Sequence, residues 1–163
     1  MGPFFESITE YGEFDLPLRN IRATLKGTHL TLDLIPEARR RKLTRVEHDG
    51  SQAMKLVLGD LANEIVEGDR LLRLEFDGIA SWFVEEEGND FPHFSLPDWS
   101  TVPKIDGSKS NWPLLRIRNS KMRDLLPDWR YTGDGLEHFF IIGAETCMHV
   151  LAWPPTGGWL PNN

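Results

Sequence analysis

The stretch EHFFIIGAETCMHVLAW, from Glu137 to Trp153, holds two apolar runs on either side of Gly143-Ala144-Glu145-Thr146. Side chains alternate sides along a strand, so a loop at those residues sets Ile142 opposite Cys147 and Phe140 opposite His149. His138, Phe140, Ile142, Cys147, His149, Leu151 and Trp153 then share one face, and Phe139, Ile141, Met148, Val150 and Ala152 share the other. Neither face is polar. A hairpin of this kind belongs in the middle of a sheet covered on both sides, which makes it the expected stability centre.

Elsewhere the apolar period is again two far more often than 3.6. In IRATLKGTHLTLDLI, Ile21, Ala23 and Leu25 alternate with polar residues, Gly27 supplies a turn, and Leu30, Leu32 and Leu34 resume the alternation. That predicts a hairpin with one polar face. Pro36 to Lys42, with Arg39, Arg40 and Arg41, reads as a solvated connection. Trp112 to Arg118 is a strand candidate, and Asn119 or Ser120 caps a short helix over Lys121 to Leu126, stopped by Pro127. The fold class expected is α+β, mainly antiparallel β, as a sandwich or partly closed barrel with one or two short helices. A chain of 163 residues is expected to form one domain, 1–163, with 1–18 and 154–163 peripheral or frayed.

Two echoes run through the chain. LTRVEHDG (43–50) and LLRLEFDG (71–78) agree at five of eight positions, in Arg, Glu, Asp and Gly more than in core letters. In the second copy Leu72, Leu74 and Phe76 point to a dry side and Arg73, Glu75 and Asp77 to a wet one, and Asp77-Gly78 reads as a two-residue hairpin turn. A structural repeat would preserve its buried face, so we read two hairpins that use one kind of turn. Leu96-Pro97-Asp98-Trp99 recurs as Leu126-Pro127-Asp128-Trp129, each a turn ending in an aromatic anchor.

The net charge of −7 argues against a nucleic-acid binder, which needs a positive field, and suits a basic protein partner. A single cysteine, Cys147, excludes an internal disulfide and fits a reducing, cytoplasmic setting. The first residues, MGPFFESITEYGEF, do not read as a signal peptide, and no apolar run approaches the ~20 residues of a membrane span.

Chemistry has few places to sit. His138, Cys147 and His149 on one face form the single metal-like constellation, but zinc sites want a fourth ligand and a recognisable spacing. The expectation is no metal and no cofactor, with Cys147 a small buried hydrophobe and both histidines bonded to backbone groups. No nucleophile elbow, P-loop, dinucleotide fingerprint or His-Glu-x-x-His occurs. Glu85, Glu86, Glu87 and Asp90 read as a solvated acidic run, and no catalytic residue is assigned.

The segments LLRLEFDGIASWFVEEEG, LLRIRNSKMRDLL and YTGDGLEHFFIIGAETCMHVLAW resemble a loose group of small uncharacterised bacterial cytosolic proteins, over roughly residues 70–153. Shared features are F-x-G-[IV], a later [ND]-S-x-[WM] segment and a final H-[YF]-x-I…C-x-x-V-L-A hairpin, with Phe139 where that pattern often has Tyr. Some members are immunity-like, and the resemblance implies a small binding protein without implying a substrate. The function expected is therefore a non-enzymatic protein-binding module. The alternative is a small-ligand binder or enzyme with a pocket between the sheet and the 85–107 loop, lined by Trp82, Phe91, His93 and Trp99. A third reading is a homodimer formed through an edge strand.

Overall fold

The computed structural model describes residues 1–41, 63–86, 96–126 and 135–163. Its strands are β1 (Phe4–Ser7), β2 (Leu18–Lys26), β3 (His29–Arg41), β4 (Asn63–Glu67), β5 (Arg70–Phe76), β6 (Ile79–Glu86), β7 (Leu114–Arg118), β8 (Glu137–Ile142), β9 (Thr146–Ala152) and β10 (Thr156–Pro161). One sheet runs β1-β7-β8-β9-β6 and the other β10-β5-β3-β2, with β4 paired to the far end of β3. Every pairing between these strands is antiparallel. The sheets pack as a sandwich and do not close into a barrel.

The final hairpin has the expected register, with Ile142 opposite Cys147 and Phe140 opposite His149. β8 is the middle strand of its sheet. His138, Phe139, Phe140, Ile141, His149, Val150, Leu151 and Ala152 are all buried, as a strand apolar on both faces must be. The Phe139 face meets the second sheet, where its ring lies 5.3 Å from that of Phe76. The Phe140 face is roofed by Trp99, whose ring stands 5.7 Å away. Asp98 accepts a hydrogen bond from the Ser100 amide and opens the 3₁₀ turn Trp99–Thr101. The first Leu-Pro-Asp-Trp is thus a turn whose Trp99 packs on Phe140 with one side left exposed and not as a buried core anchor; most of the second copy lies outside the described residues.

On β5, Leu72, Leu74 and Phe76 are fully buried, while Glu75 and Asp77 are exposed. Arg73 is half-buried because its guanidinium forks onto the Asp33 carboxylate at 2.7 and 2.8 Å. Asp77-Gly78, however, closes no hairpin. β3 and β10 already occupy both edges of β5, so the chain leaves its sheet there and continues as β6 at the edge of the other. The first octet lies outside the described residues.

Three further expectations change. Residues 36–41 are a continuation of β3 and not a solvated connection, paired with β4 from Glu37 to Arg41, with Pro36 tolerated at the irregularity facing Leu18 and Asn20. The predicted helix at 121–126 is a 3₁₀ turn, Lys121–Leu125, because the span between the Ser120 cap and Pro127 has room for little more than one turn. Both chain ends are built in. β1 pairs with β7, and the tail is strand β10, paired with β5 from Thr156–Glu75 to Pro161–Arg70. Among the described residues no helix is long and apolar enough to cross a membrane.

Candidate functional site

Four polar side chains from four places in the chain join on the Trp99 side of the β8 sheet. Ser120 follows β7, His138 is on β8, His149 on β9 and Glu85 near the end of β6. In the ladder His138 faces Leu151 and His149 faces Phe83, so His138 meets His149, and His149 meets Glu85, as diagonal neighbours two positions off the direct partner, while Ser120 reaches His138 from just past the end of β7. Ser120 Oγ lies 2.6 Å from His138 Nδ1, His138 Nε2 lies 2.8 Å from His149 Nδ1, and His149 Nε2 lies 2.9 Å from Glu85 Oε2.

Charge fixes the direction of this chain. A carboxylate only accepts, so His149 Nε2–H donates to Glu85. His149 Nδ1 is then the acceptor for His138 Nε2–H, and His138 Nδ1 is the acceptor for the Ser120 hydroxyl. Ser120 Oγ in turn accepts from the Met122 amide at 3.1 Å. Burial pushes the His138 ring down to about 4. Burial, followed by the charge of the neighbouring ring, pushes His149 down to about 3. Both rings are neutral at pH 7, and the Glu85 contact is an imidazole N–H on a carboxylate, not an ion pair. Aromatic rings supply much of the desolvation: Phe83 stacks on His149 at 4.4 Å and Phe140 lies 4.6 Å from it.

The serine end opens into a recess of about 210 Å³ lined by Ile117, Arg118, Asn119, Ser120, Leu136 and Leu151, among others. Asn119 holds a left-handed backbone with φ of 53°, which turns the chain sharply between β7 and Ser120. Beside the recess, Arg116 is 8% exposed and binds three carboxylates: Glu137 at 2.7 Å, Glu6 at 3.1 Å and Glu10 at 3.3 Å. Arg118 binds Glu6 and Glu137 from the same strand face. Desolvation raises the Glu6 carboxyl, but the hydrogen bonds and charges of both arginines outweigh it and hold the group below its ordinary range.

The sequence candidates fall as follows. His138 and His149 are together, bonded to each other and to the side chains of Ser120 and Glu85. Cys147 shares their face but is only half-buried, opposite Glu85 in the ladder. Among the described residues no three His, Cys, Asp or Glu side chains converge on a point where a metal would sit. Trp82 and Trp99 do not share a pocket: Trp82 is in register with Val150 and Phe139, whereas Trp99 packs on Phe140 across the sheet. Phe91 and His93 lie outside the described residues. Glu85 is no part of a solvated run, since its side chain is 14% exposed and turned onto His149. Sequence reading misses Ser120 as more than a cap; the signal is its place straight after a strand that pairs with the His138 strand.

A second feature is a surface. β2 is the end strand of its sheet, nine residues long, and only Leu18 of it is buried. No described strand pairs with its outer edge. Ile21, Ala23 and Leu25 carry the register of the buried Leu34, Leu32 and Leu30, yet Leu25 is 44% exposed, so the strand overhangs the core. A cleft of about 500 Å³ adjoins it, between β4 and the loop Gly143–Thr146. Compared with protein families, curated proteins and solved structures, the chain matches none.

Proposed function

We propose that the chain is a protein-binding module, of the immunity-like kind that the resemblance of residues 70–153 implies, and that it takes an extended segment of its partner onto the outer edge of β2. The observation that carries this reading is the overhang of β2. A long edge with which no described strand pairs is a template for strand addition. An added strand would also cover Ile21, Ala23 and Leu25 and continue the buried face of the sheet. The apolar side chains of that segment would therefore alternate, and the cleft beside Arg19 and Ile65 would receive one of them.

Charge selects the partner at two ranges. The net −7 favours a partner that is basic over its whole surface, because long-range steering follows net charge. The contact strand itself carries Arg19, Arg22 and Lys26 and no acid, so the segment laid on it is acidic or neutral. The same three cations disfavour pairing of β2 with β2 of a second copy.

The test is amide hydrogen exchange with two nine-residue probe peptides, alternating Val with Glu in one and Val with Lys in the other. The expected result is protection of amides within 19–26 by the acidic peptide alone. Protection elsewhere, or none with either peptide, overturns the reading, and concentration-dependent self-protection of β2 assigns the edge to a homodimer instead.

A further inference from the structure

We propose that Ser120 is a nucleophile for acyl transfer from small carboxylic esters, activated through His138 and His149 by the carboxylate of Glu85. The inference is independent of the β2 reading, since the four residues lie on the other sheet.

The hydrogen-bond order is that of an activated serine with one extra ring. The hydroxyl donates to an imidazole nitrogen at 2.6 Å, and the proton charge can move along 2.8 and 2.9 Å contacts to a carboxylate. Ser120 Oγ keeps one lone pair for attack, because the Met122 amide takes only the other. The sharp turn at Asn119 presents the hydroxyl to the recess, where Ile117, Leu136 and Leu151 offer apolar surface for an acyl chain of a few carbons.

The step balances without a co-reactant other than water. Ser120 Oγ forms the bond to the carbonyl carbon as its proton passes to His138 Nδ1. The Nε2 proton of His138 passes to His149 Nδ1, leaving the positive charge on His149, 2.9 Å from the Glu85 carboxylate. The ester C–O bond breaks, the protons return, and the leaving alkoxide departs as an alcohol. Water repeats the sequence on the acyl-serine and releases the acid. Burial makes both rings weak bases on their own, and Glu85 offsets this by receiving the charge beside it. Ser120 and His138 touch the reacting atoms; His149 and Glu85 are positioning residues.

The full chain is treated with a fluorophosphonate, the adduct is mapped by peptide mass, and hydrolysis of p-nitrophenyl butyrate is followed against pH. The expected result is one adduct on Ser120, absent in Ser120→Ala. In Glu85→Gln, which keeps an acceptor for the His149 N–H but not the charge, labelling should slow by about 10²-fold and the ascending limb of the pH profile should shift to lower pH. Melting temperatures of both variants report whether they fold. Absence of an adduct on Ser120 in the folded wild type overturns the proposal. So does labelling of a folded Glu85→Gln at the wild-type rate, which would make the four-residue chain a structural network.

Discussion

Nε2 of His138 and Nδ1 of His149 lie 2.8 Å apart, a diagonal contact across the β8–β9 ladder in which each ring is neutral because neither has water to solvate a charge. A second proton on His149 would sit on Nδ1 and face the Nε2–H of His138, and one on His138 would sit on Nδ1 and remove the acceptor of the Ser120 hydroxyl. The cost of a proton taken up at low pH is therefore that of breaking one of these contacts as well as burying a cation.

Acid should destabilise the fold well above the carboxylate range. The unfolded chain protonates these rings near 6.5, whereas the folded chain resists down to about 4 for His138 and about 3 for His149. Between those values the unfolded state binds more protons, so stability is full above pH 6.5 and falls as the pH drops from there toward 4 and 3. A tenfold difference in proton affinity between the two states corresponds to about 1.4 kcal/mol, which puts the combined effect on the order of a few kcal/mol. Urea midpoints measured from pH 7.5 to 4 should fall steadily, and His149→Gln, which can still donate and accept, should flatten the slope. An unchanged midpoint down to pH 4.5 contradicts the burial of the pair.

The hairpin that carries the pair should also dominate stability. Phe139 and Phe140 are fully buried on opposite faces of β8, against Phe76 and Trp99. Truncating either to Ala should cost about 3–5 kcal/mol and lower the melting temperature sharply. Glu145→Ala, at an exposed position of the β8–β9 loop, should stay within about 0.5 kcal/mol. Equal melting temperatures for all three variants would place the core elsewhere.

Arg116→Met should destabilise chiefly near neutral pH. The substitution keeps an apolar stem but removes the guanidinium that stands 5.8 Å over the Phe139 ring, and it leaves Glu6, Glu10 and Glu137 facing one another, with Arg118 as a cation shared by two of them. The expected loss is about 2 kcal/mol, less than for a fully buried pair because Glu6 and Glu10 side chains remain 40% and 57% exposed. Since Glu6 is held below its ordinary range by the arginines, the loss should shrink as the pH falls and the carboxylates take up protons. Denaturant titrations of both proteins at pH 7 and pH 4 measure that difference.

Why are some of these relationships visible in the sequence and others not? Alternation fixes which residues share a face, so Ile142–Cys147 and the dry side of β5 are legible from period and turn alone. Strand partners are another matter. Nothing local in Asp77-Gly78 says that both edges of β5 are taken, one of them by a strand that begins at Thr156. The tail reads as peripheral or frayed for the same reason: its Gly and Pro content describes the backbone's freedom, not the edge waiting for it. At the site, the two histidines are placed together by their spacing in one hairpin, but Glu85 and Ser120 reach them only through the β6–β9 and β7–β8 pairings.

The tail supplies the sharpest single-residue test. Gly157 and Gly158 are adjacent in β10 and chemically identical, yet their surroundings differ. A Cβ on Gly157 would stand 2.7 Å from the Arg73 carbonyl oxygen and 2.7 Å from Leu74 Cδ2, whereas a Cβ on Gly158 would meet nothing within 4 Å. The Arg73 carbonyl belongs to the paired backbone of β5, so it has no rotamer by which to give way, and the strand must shift. A shift there would loosen the seat of Trp159 against Phe14, whose rings lie 5.3 Å apart. Gly157→Ala should therefore cost about 1–3 kcal/mol, the usual range for overpacking. Gly158→Ala removes backbone freedom from the unfolded chain without a clash and should be neutral or stabilising by up to about 1 kcal/mol. Paired thermal melts decide the matter: if the two alanines behave alike, β10 does not dock on β5 with Gly157 opposite Leu74.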